Sequence, residues 1–216
     1  MKIGIISDTH DDVENVQKAI EMFNVERVQY VIHAGDYIFP GIVKEFEKLN
    51  SKLIGVLGNN DGEKVHLLKN FLDIGGDLKG ELAVIELDGL RFGVYHGTSK
   101  EIKEQLANNG KYNILICGHT HRKELPNDAH KGKYENDNKE TLVLNPGTAH
   151  KKVESISGAF KEGGIIIFDI IINISSIGYI IFVKYHECID NLNHKYLSSH
   201  YYIFIRSVLS YFCLQF

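Results

Sequence analysis

Apolar residues along this chain come in short runs that alternate with stretches of helical period. Ile3 to Ser7 is an apolar run closing on a polar residue, and Val13, Val16, Ile20 and Phe23 then recur at helical spacing, which predicts strand, loop, helix. The cycle repeats, with Val28 to His33 as a strand, Ile42, Val43, Phe46 and Leu49 as a helix face, and Leu53 to Leu57 as a third strand. Leu82 to Leu87 and Leu90 to Tyr95 flank Asp88-Gly89, a dipeptide that favours a two-residue hairpin turn because glycine accepts positive φ. That pair should be antiparallel. A helix from about Lys100 to Asn109 and strands at Asn113 to Cys117, Leu142 to Asn145 and Gly164 to Asp169 complete the pattern. Alternation of this kind predicts an α/β fold in which two mixed sheets are flanked by helices.

Two stretches stand apart. Leu125 to Thr141 is rich in Asn, Asp, Lys and Glu and has no apolar period, so a surface loop or hairpin is expected. Beyond Asp169 the composition turns to Ile, Tyr, Ser, Phe and Asn without clear caps or turn signals. The expected organisation is therefore one domain over residues 1–169 and a C-terminal tail, 170–216, of unassigned role. Gly163 to Val183 is apolar enough to suggest a membrane span, but Asp169, Asn173 and Ser175-Ser176 interrupt it, and polar groups in hydrocarbon are costly. Buried strands are the expectation there, and no membrane partner.

Composition narrows the function. Lys and Arg number 24 against 28 Asp and Glu, a formal charge of -4, so the basic excess of a nucleic-acid binder is missing and no nucleic acid is expected as partner. Cys117, Cys188 and Cys213 are odd in number and far apart, which fits neither a disulfide framework nor a Cys-x-x-Cys metal site. The start, Met-Lys-Ile-Gly-Ile-Ile-Ser-Asp, reaches a charge too early for a secretory signal. A cytoplasmic setting follows as the expectation.

Candidate chemistry lies in five short motifs, each just after a predicted strand, where α/β folds open their ligand crevice. Asp8-Thr9-His10 sets a carboxylate and an imidazole two residues apart, able to turn toward one cation. In Gly35-Asp36 glycine permits a tight turn and the carboxylate has two oxygens with which to bridge two metals. Gly58-Asn59-Asn60-Asp61 offers an amide oxygen and a supporting carboxylate. His96-Gly97 and Gly118-His119-Thr120-His121 add three imidazoles. Singly each motif is weak, since a lone histidine is more often a surface or packed residue. Together they form a set too costly to gather without cations.

In this order the motifs resemble the signature of the calcineurin-like metallophosphoesterases, and most nearly the small YfcE-type phosphodiesterase branch. The likeness spans residues 1 to about 169, and Asn145-Pro146-Gly147-Thr148 is similar to that branch's late Asn-Pro-Gly-Ser turn. The resemblance implies a metallophosphoesterase-like two-sheet β-sandwich flanked by helices. It also implies two divalent ions, with Asp8, His10 and His121 on one, Asn59, His96 and His119 on the other, and Asp36 shared. Manganese is the expected metal, although the oxygen and imidazole set also accepts Fe, Co, Ni or Zn. Such a site generates hydroxide near neutral pH and clamps an in-line phosphoryl displacement. Where larger members of the superfamily carry a proton-donating histidine, this chain has Asn60, which is no acid. Losing general acid catalysis, worth about 100- to 10,000-fold, penalises poor leaving groups most. Small phosphodiesters are thus the expected substrates, with Asn60 and Asp61 as the expected catalytic residues beside the metals. The competing reading is a protein-binding scaffold of the same fold, similar to the retromer subunit. A repair nuclease of the superfamily would need a basic groove. Self-association through the tail, or a poorly ordered tail, is a further expectation.

The other histidines, His33, His66, His130, His150, His186, His194 and His200, read as packed or surface residues. Asp11 and Asp12 read as N-terminal charges of the helix near Val13. Asp61 reads equally as a ligand-orienting group or as the pin of its own turn. The lysines from Lys100 to Lys111 read as a solvated face.

Overall fold

The computed structural model describes residues 1–124, 135–136, 139–150, 165–169, 171–175, 178–187 and 197–205, with the backbone alone at 135–136, at 139–140 and in the described stretches beyond 167. In chain order the strands and helices are β1 (Lys2–Ile6), α1 (Val13–Val25), β2 (Tyr30–His33), a 3₁₀ helix (Pro40–Lys48), β3 (Lys52–Gly55), α2 (Lys64–Asp73) and β4 (Asp77–Leu78). There follow β5 (Leu82–Leu87), β6 (Leu90–Tyr95), α3 (Lys100–Asn108), β7 (Ile114–Ile116), β8 (Lys123–Glu124), β9 (Glu135–Asn136), β10 (Lys139–Glu140) and β11 (Leu142–Pro146). The last are β12 (Ile166–Asp169), β13 (Ile171–Ser175), β14 (Gly178–Glu187) and β15 (Leu197–Ile205).

Two five-stranded sheets carry the architecture, ordered β12-β1-β2-β3-β4 and β5-β6-β7-β11-β8. In the first, β1 to β4 run parallel and β12 closes the edge antiparallel to β1. In the second, β6, β7 and β11 run parallel between antiparallel edges. The sheets face each other through Ile3, Ile5, Ile32, Ile54, Val56, Phe92, Val94, Ile116 and Leu144. Each buried aliphatic side chain of this size contributes about 1.5–3 kcal/mol. A second apolar layer, including Phe23, Phe46 and Phe71, packs α1, the 3₁₀ helix and α2 on the first sheet's outer face. Ala107 of α3 joins Leu115, Cys117 and Val143 on the second sheet's outer face. The expected two-sheet α/β sandwich is what forms.

The hairpin at Asp88-Gly89 forms with both residues at positive φ, 48° and 75°, and pairs Leu87 with Leu90. Three differences from the sequence reading have physical causes. The helix expected around Ile42 to Leu49 is a 3₁₀ helix, whose three-residue repeat puts Pro40, Val43 and Phe46 in one buried row. Helix α2 was not expected, because Leu67 and Phe71 are buried while Val65, Leu68 and Leu72 are exposed. That smears its apolar stripe, and Glu63 makes no side-chain cap bond. The tail, read as without pattern, forms a three-stranded antiparallel sheet, β13-β14-β15. Its signal was β-branched and aromatic content rather than alternation. Within the polar stretch β9 and β10 pair antiparallel. Among the described residues, no helix is long and apolar enough to cross a membrane.

Candidate metal centre

Five loops leave the carboxyl ends of β1, β2, β3, β6 and β7 on the same side of the sandwich, and each carries expected site residues. The first two loops run side by side, with the backbone N–H of Asp8, His10 and Asp11 donating to the carbonyls of Gly35, Asp36 and Tyr37 at 3.0, 3.2 and 3.3 Å. Asp8, His10, Asp36, His119 and His121 all sit in the left-handed region, with φ from 42° to 67°. Side chains rarely accept that conformation unless surrounding bonds impose it. Gly35, at φ 100°, sits where a Cβ would come within 2.9 Å of both Gly58 N and His96 Nδ1. Close approach of these loops therefore requires glycine there.

One group of ligand atoms gathers around Asp8. Atoms from Asp8, His10, Asp36 and His121 lie within 4.8 Å of one another. His10 Nε2 is 3.0 Å from His121 Nε2, which is in turn 3.1 Å from Asp8 Oδ1. The other Asp8 oxygen, Oδ2, accepts from Ser7 Oγ at 2.6 Å, and the His119 N–H is shared between Oδ2 at 3.1 Å and Oδ1 at 3.2 Å. Anionic and lone-pair atoms thus converge on one point, with Ser7 holding Oδ2 and the His119 N–H spanning both oxygens of Asp8. Such a donor set fits a divalent cation.

A second group gathers around Asn59, whose Oδ1 lies 3.1 Å from His96 Nε2 and 2.9 Å from His119 Nδ1. His96 Nδ1 is 2.7 Å from the Ala34 carbonyl. That acceptor holds a proton on Nδ1, so Nε2 is the ring nitrogen turned toward Asp36 and Asn59 and the one that could serve a metal. Asp36 stands between the groups, with Oδ2 3.3 Å from His96 Nε2 and 3.7 Å from His10 Nε2. Asn60 donates to it twice, from its backbone N to Oδ1 at 2.9 Å and from Nδ2 to Oδ2 at 2.8 Å. Burial works to raise the Asp36 carboxyl, but hydrogen bonds from His96 and Asn60 hold it well below the usual carboxylate range. Burial opposes charge on His96, yet contact with Asp36 raises its pKa above the ordinary value.

The supporting residues divide the work. Asp61 is buried and accepts four backbone N–H groups, with Oδ1 taking Tyr37 and Ile38 at 2.7 and 2.9 Å and Oδ2 taking Asp36 and Gly58 at 3.0 and 2.7 Å. It pins the Asp36 loop to its own. His33 is buried and stacks on Tyr37 with ring centroids 3.9 Å apart. Its Nδ1 accepts from Gly35 N at 3.1 Å, so Nε2 carries the proton and donates to Thr9 Oγ1 at 3.2 Å. Burial pushes its pKa down to about 3, helped by neighbouring His96.

Asp12 caps α1 by accepting from Asn15 N at 3.0 Å. Asp11, expected to serve the helix too, instead accepts from Phe39 N at 2.8 Å. His66 pairs with Glu63 at 2.9 Å. His130 and His194 lie outside the described residues, and at His186 and His200 only the backbone is described. His150 departs from its bland reading, with its ring 5.8 Å from that of His10 and its Nδ1 3.6 Å from Asp12 Oδ2. No sequence spacing announced that approach. Asn145 Nδ2 donates to the Gly118 carbonyl at 2.7 Å, and Thr148 Oγ1 to the Asp8 carbonyl at 2.8 Å. The late Asn-Pro-Gly-Thr turn thereby ties the first and last ligand loops together.

Comparison with known proteins gives the arrangement its context. Residues 1–168 match the calcineurin-like phosphoesterase superfamily domain. A phosphodiesterase of Methanocaldococcus jannaschii is 40% identical over 148 residues, covering 68% of this chain and 83% of that one. A solved archaeal phosphodiesterase superposes with TM-score 0.65 at 38% identity over 78% of this chain and 93% of that one. The zinc complex of Vps29 from Entamoeba histolytica superposes with TM-score 0.60 over 94% of this chain and 99% of its own. At 19% identity that last likeness speaks for the fold alone.

Proposed function

The chain belongs to the calcineurin-like phosphoesterase superfamily, and from that premise we propose that it is a dinuclear metal-dependent phosphoesterase acting on small phosphodiesters. The observation that carries this reading is the convergence of ligand atoms from Asp8, His10, Asp36 and His121 within 4.8 Å. Asp8, His10 and His121 would hold one divalent ion, Asn59, His96 and His119 the other, and Asp36 both. Such ions supply Lewis acidity toward phosphoryl oxygens and a nucleophile drawn from water near neutral pH. Manganese is the metal we favour, in a cytoplasmic protein.

The protein's own groups position and neutralise. Ser7 and the His119 backbone N–H turn Asp8, Asn60 orients Asp36, and the Ala34 carbonyl sets the ring of His96. Asp61 acts on Asp36 through the loop backbone. In the net reaction a water oxygen bonds to phosphorus, one ester P–O bond breaks, and the departing oxygen takes its proton from solvent. Asn60 cannot deliver that proton, so esters that leave without protonation react best. Diesters are favoured further by relatives named for that activity. Residues 1–169 would form the catalytic unit and 170–216 a C-terminal addition open to self-association.

The test is hydrolysis of bis(p-nitrophenyl) phosphate and p-nitrophenyl phosphate by metal-stripped protein resupplied with manganese, alongside Asp36→Ala. Manganese-dependent turnover that the variant loses, with the diester preferred, is the expected result. Bound manganese without turnover would move the weight to a protein-binding scaffold.

A further inference from the structure

Downstream of Asp36 the loop makes an unusual exit. Ile38 sits at φ 75°, a region that β-branched residues avoid for steric reasons. It is held there by its own N–H and that of Tyr37 on Asp61 Oδ1. The next residue, Phe39, donates its N–H to Asp11 Oδ1 at 2.8 Å. Phe39 is thus anchored beside the residue following His10 and stands three positions after Asp36. Both apolar side chains face solvent, with Ile38 36% and Phe39 62% exposed.

The Phe39 ring is also seated. A Cβ on Gly41 would lie 2.9 Å from Phe39 Cδ1 and closer still to Cε1, so the ring rests in space that only glycine leaves free. An exposed aromatic ring seated against Gly41, on the loop that leaves Asp36 and is tethered to the residue after His10, has the form of a stacking surface. The ligand atoms themselves address only phosphoryl oxygens. Discrimination among ester groups must come from the surrounding walls.

We propose that Phe39, flanked by Ile38, is the platform that receives a planar aromatic ester group of the substrate, such as a nucleobase-bearing or aryl substituent. This rests on the phosphoesterase reading above and names the substrate class for that site.

The experiment titrates phenylphosphonate and methylphosphonate into the manganese-loaded full chain by calorimetry, because neither is hydrolysed and they differ only in the apolar group. Wild type should favour phenylphosphonate by about tenfold, the scale of one aromatic stack. Phe39→Ala should erase that preference and Phe39→Tyr should keep it. A preference that survives Phe39→Ala, or is missing from wild type, overturns the platform and leaves the phosphoesterase assignment standing. Manganese-loaded protein that binds neither phosphonate overturns both.

Discussion

Around Asp8 the cluster brings together two carboxylates, of Asp8 and Asp36, and two imidazoles, of His10 and His121. Around Asn59 it offers a neutral amide and two imidazoles, with only the shared Asp36 to supply charge. Both halves direct nitrogen and oxygen toward a point, but a divalent cation is attracted far more strongly to two carboxylates than to one. The halves also differ in support. Asp8 is buried and oriented by Ser7 and by the His119 backbone, whereas Asn59 is exposed on its loop. Loaded protein should therefore hold one ion tightly and exchange the other, with Asp36 coupling the two.

Removing one carboxylate from the richer half breaks that asymmetry most directly. Asp8→Ala should reduce turnover on the order of a thousandfold and abolish tight metal binding, while Asn59→Ala should cost about a hundredfold and spare one ion. Metal content after exhaustive dialysis, read beside the rate, decides between them. Equal metal loss in both variants would dissolve the distinction.

Asp61 supports the residue that the halves share, so its loss should affect both. Asp61→Ala leaves the N–H groups of Asp36, Tyr37, Ile38 and Gly58 without their acceptor. Orphaned buried donors cost about 1–3 kcal/mol each before water relieves some of them, so a loss of about 3 kcal/mol in urea unfolding is expected. A change under 1 kcal/mol would mean that the turn holds without its pin.

His33 sharpens the comparison through pH. Its pKa is about 3 in the folded protein against an ordinary value near 6.5, so the unfolded chain takes the proton first as pH falls. The stability contributed by neutral His33 is complete above about pH 6.5 and is lost progressively toward pH 3. Between pH 6.5 and 5 wild type should lose about 2 kcal/mol more than His33→Gln. Parallel pH profiles for the two proteins would show that His33 titrates normally.

Much of this was legible beforehand, for reasons that differ by residue. Ile3 to Ser7 and Leu90 to Tyr95 read as strands because their period is local, and Asp88-Gly89 read as a turn because its backbone demand is local. The candidate motifs stood out because Asp8 and His10, or His119 and His121, lie within three residues of each other. What stayed hidden depends on distant partners. Asp11 reaches Phe39, His150 reaches His10, and Asp61 reaches the backbone more than twenty residues upstream. Helix α2 stayed hidden because its exposed Val65, Leu68 and Leu72 are as apolar as its buried Leu67 and Phe71.

The smallest effect, and the most selective, belongs to Ser7. Its hydroxyl donates to Asp8 Oδ2 at 2.6 Å and so keeps Oδ1 toward His121, while its backbone carbonyl independently accepts from Ala149 N at 3.1 Å. Ser7→Ala deletes one oxygen and leaves that backbone bond in place. Loss of a bond that orients a ligand typically weakens metal binding about tenfold or somewhat more. The loss should fall on the Asp8 half, since the hydroxyl's hydrogen bond goes to Asp8 and the His119 N–H still holds both Asp8 oxygens. Manganese titration of the variant should show one of two binding steps weakened and the other unmoved. If both steps weaken together, Asp36 couples the halves so tightly that they act as one site, and the asymmetry drawn from their charges has no thermodynamic consequence.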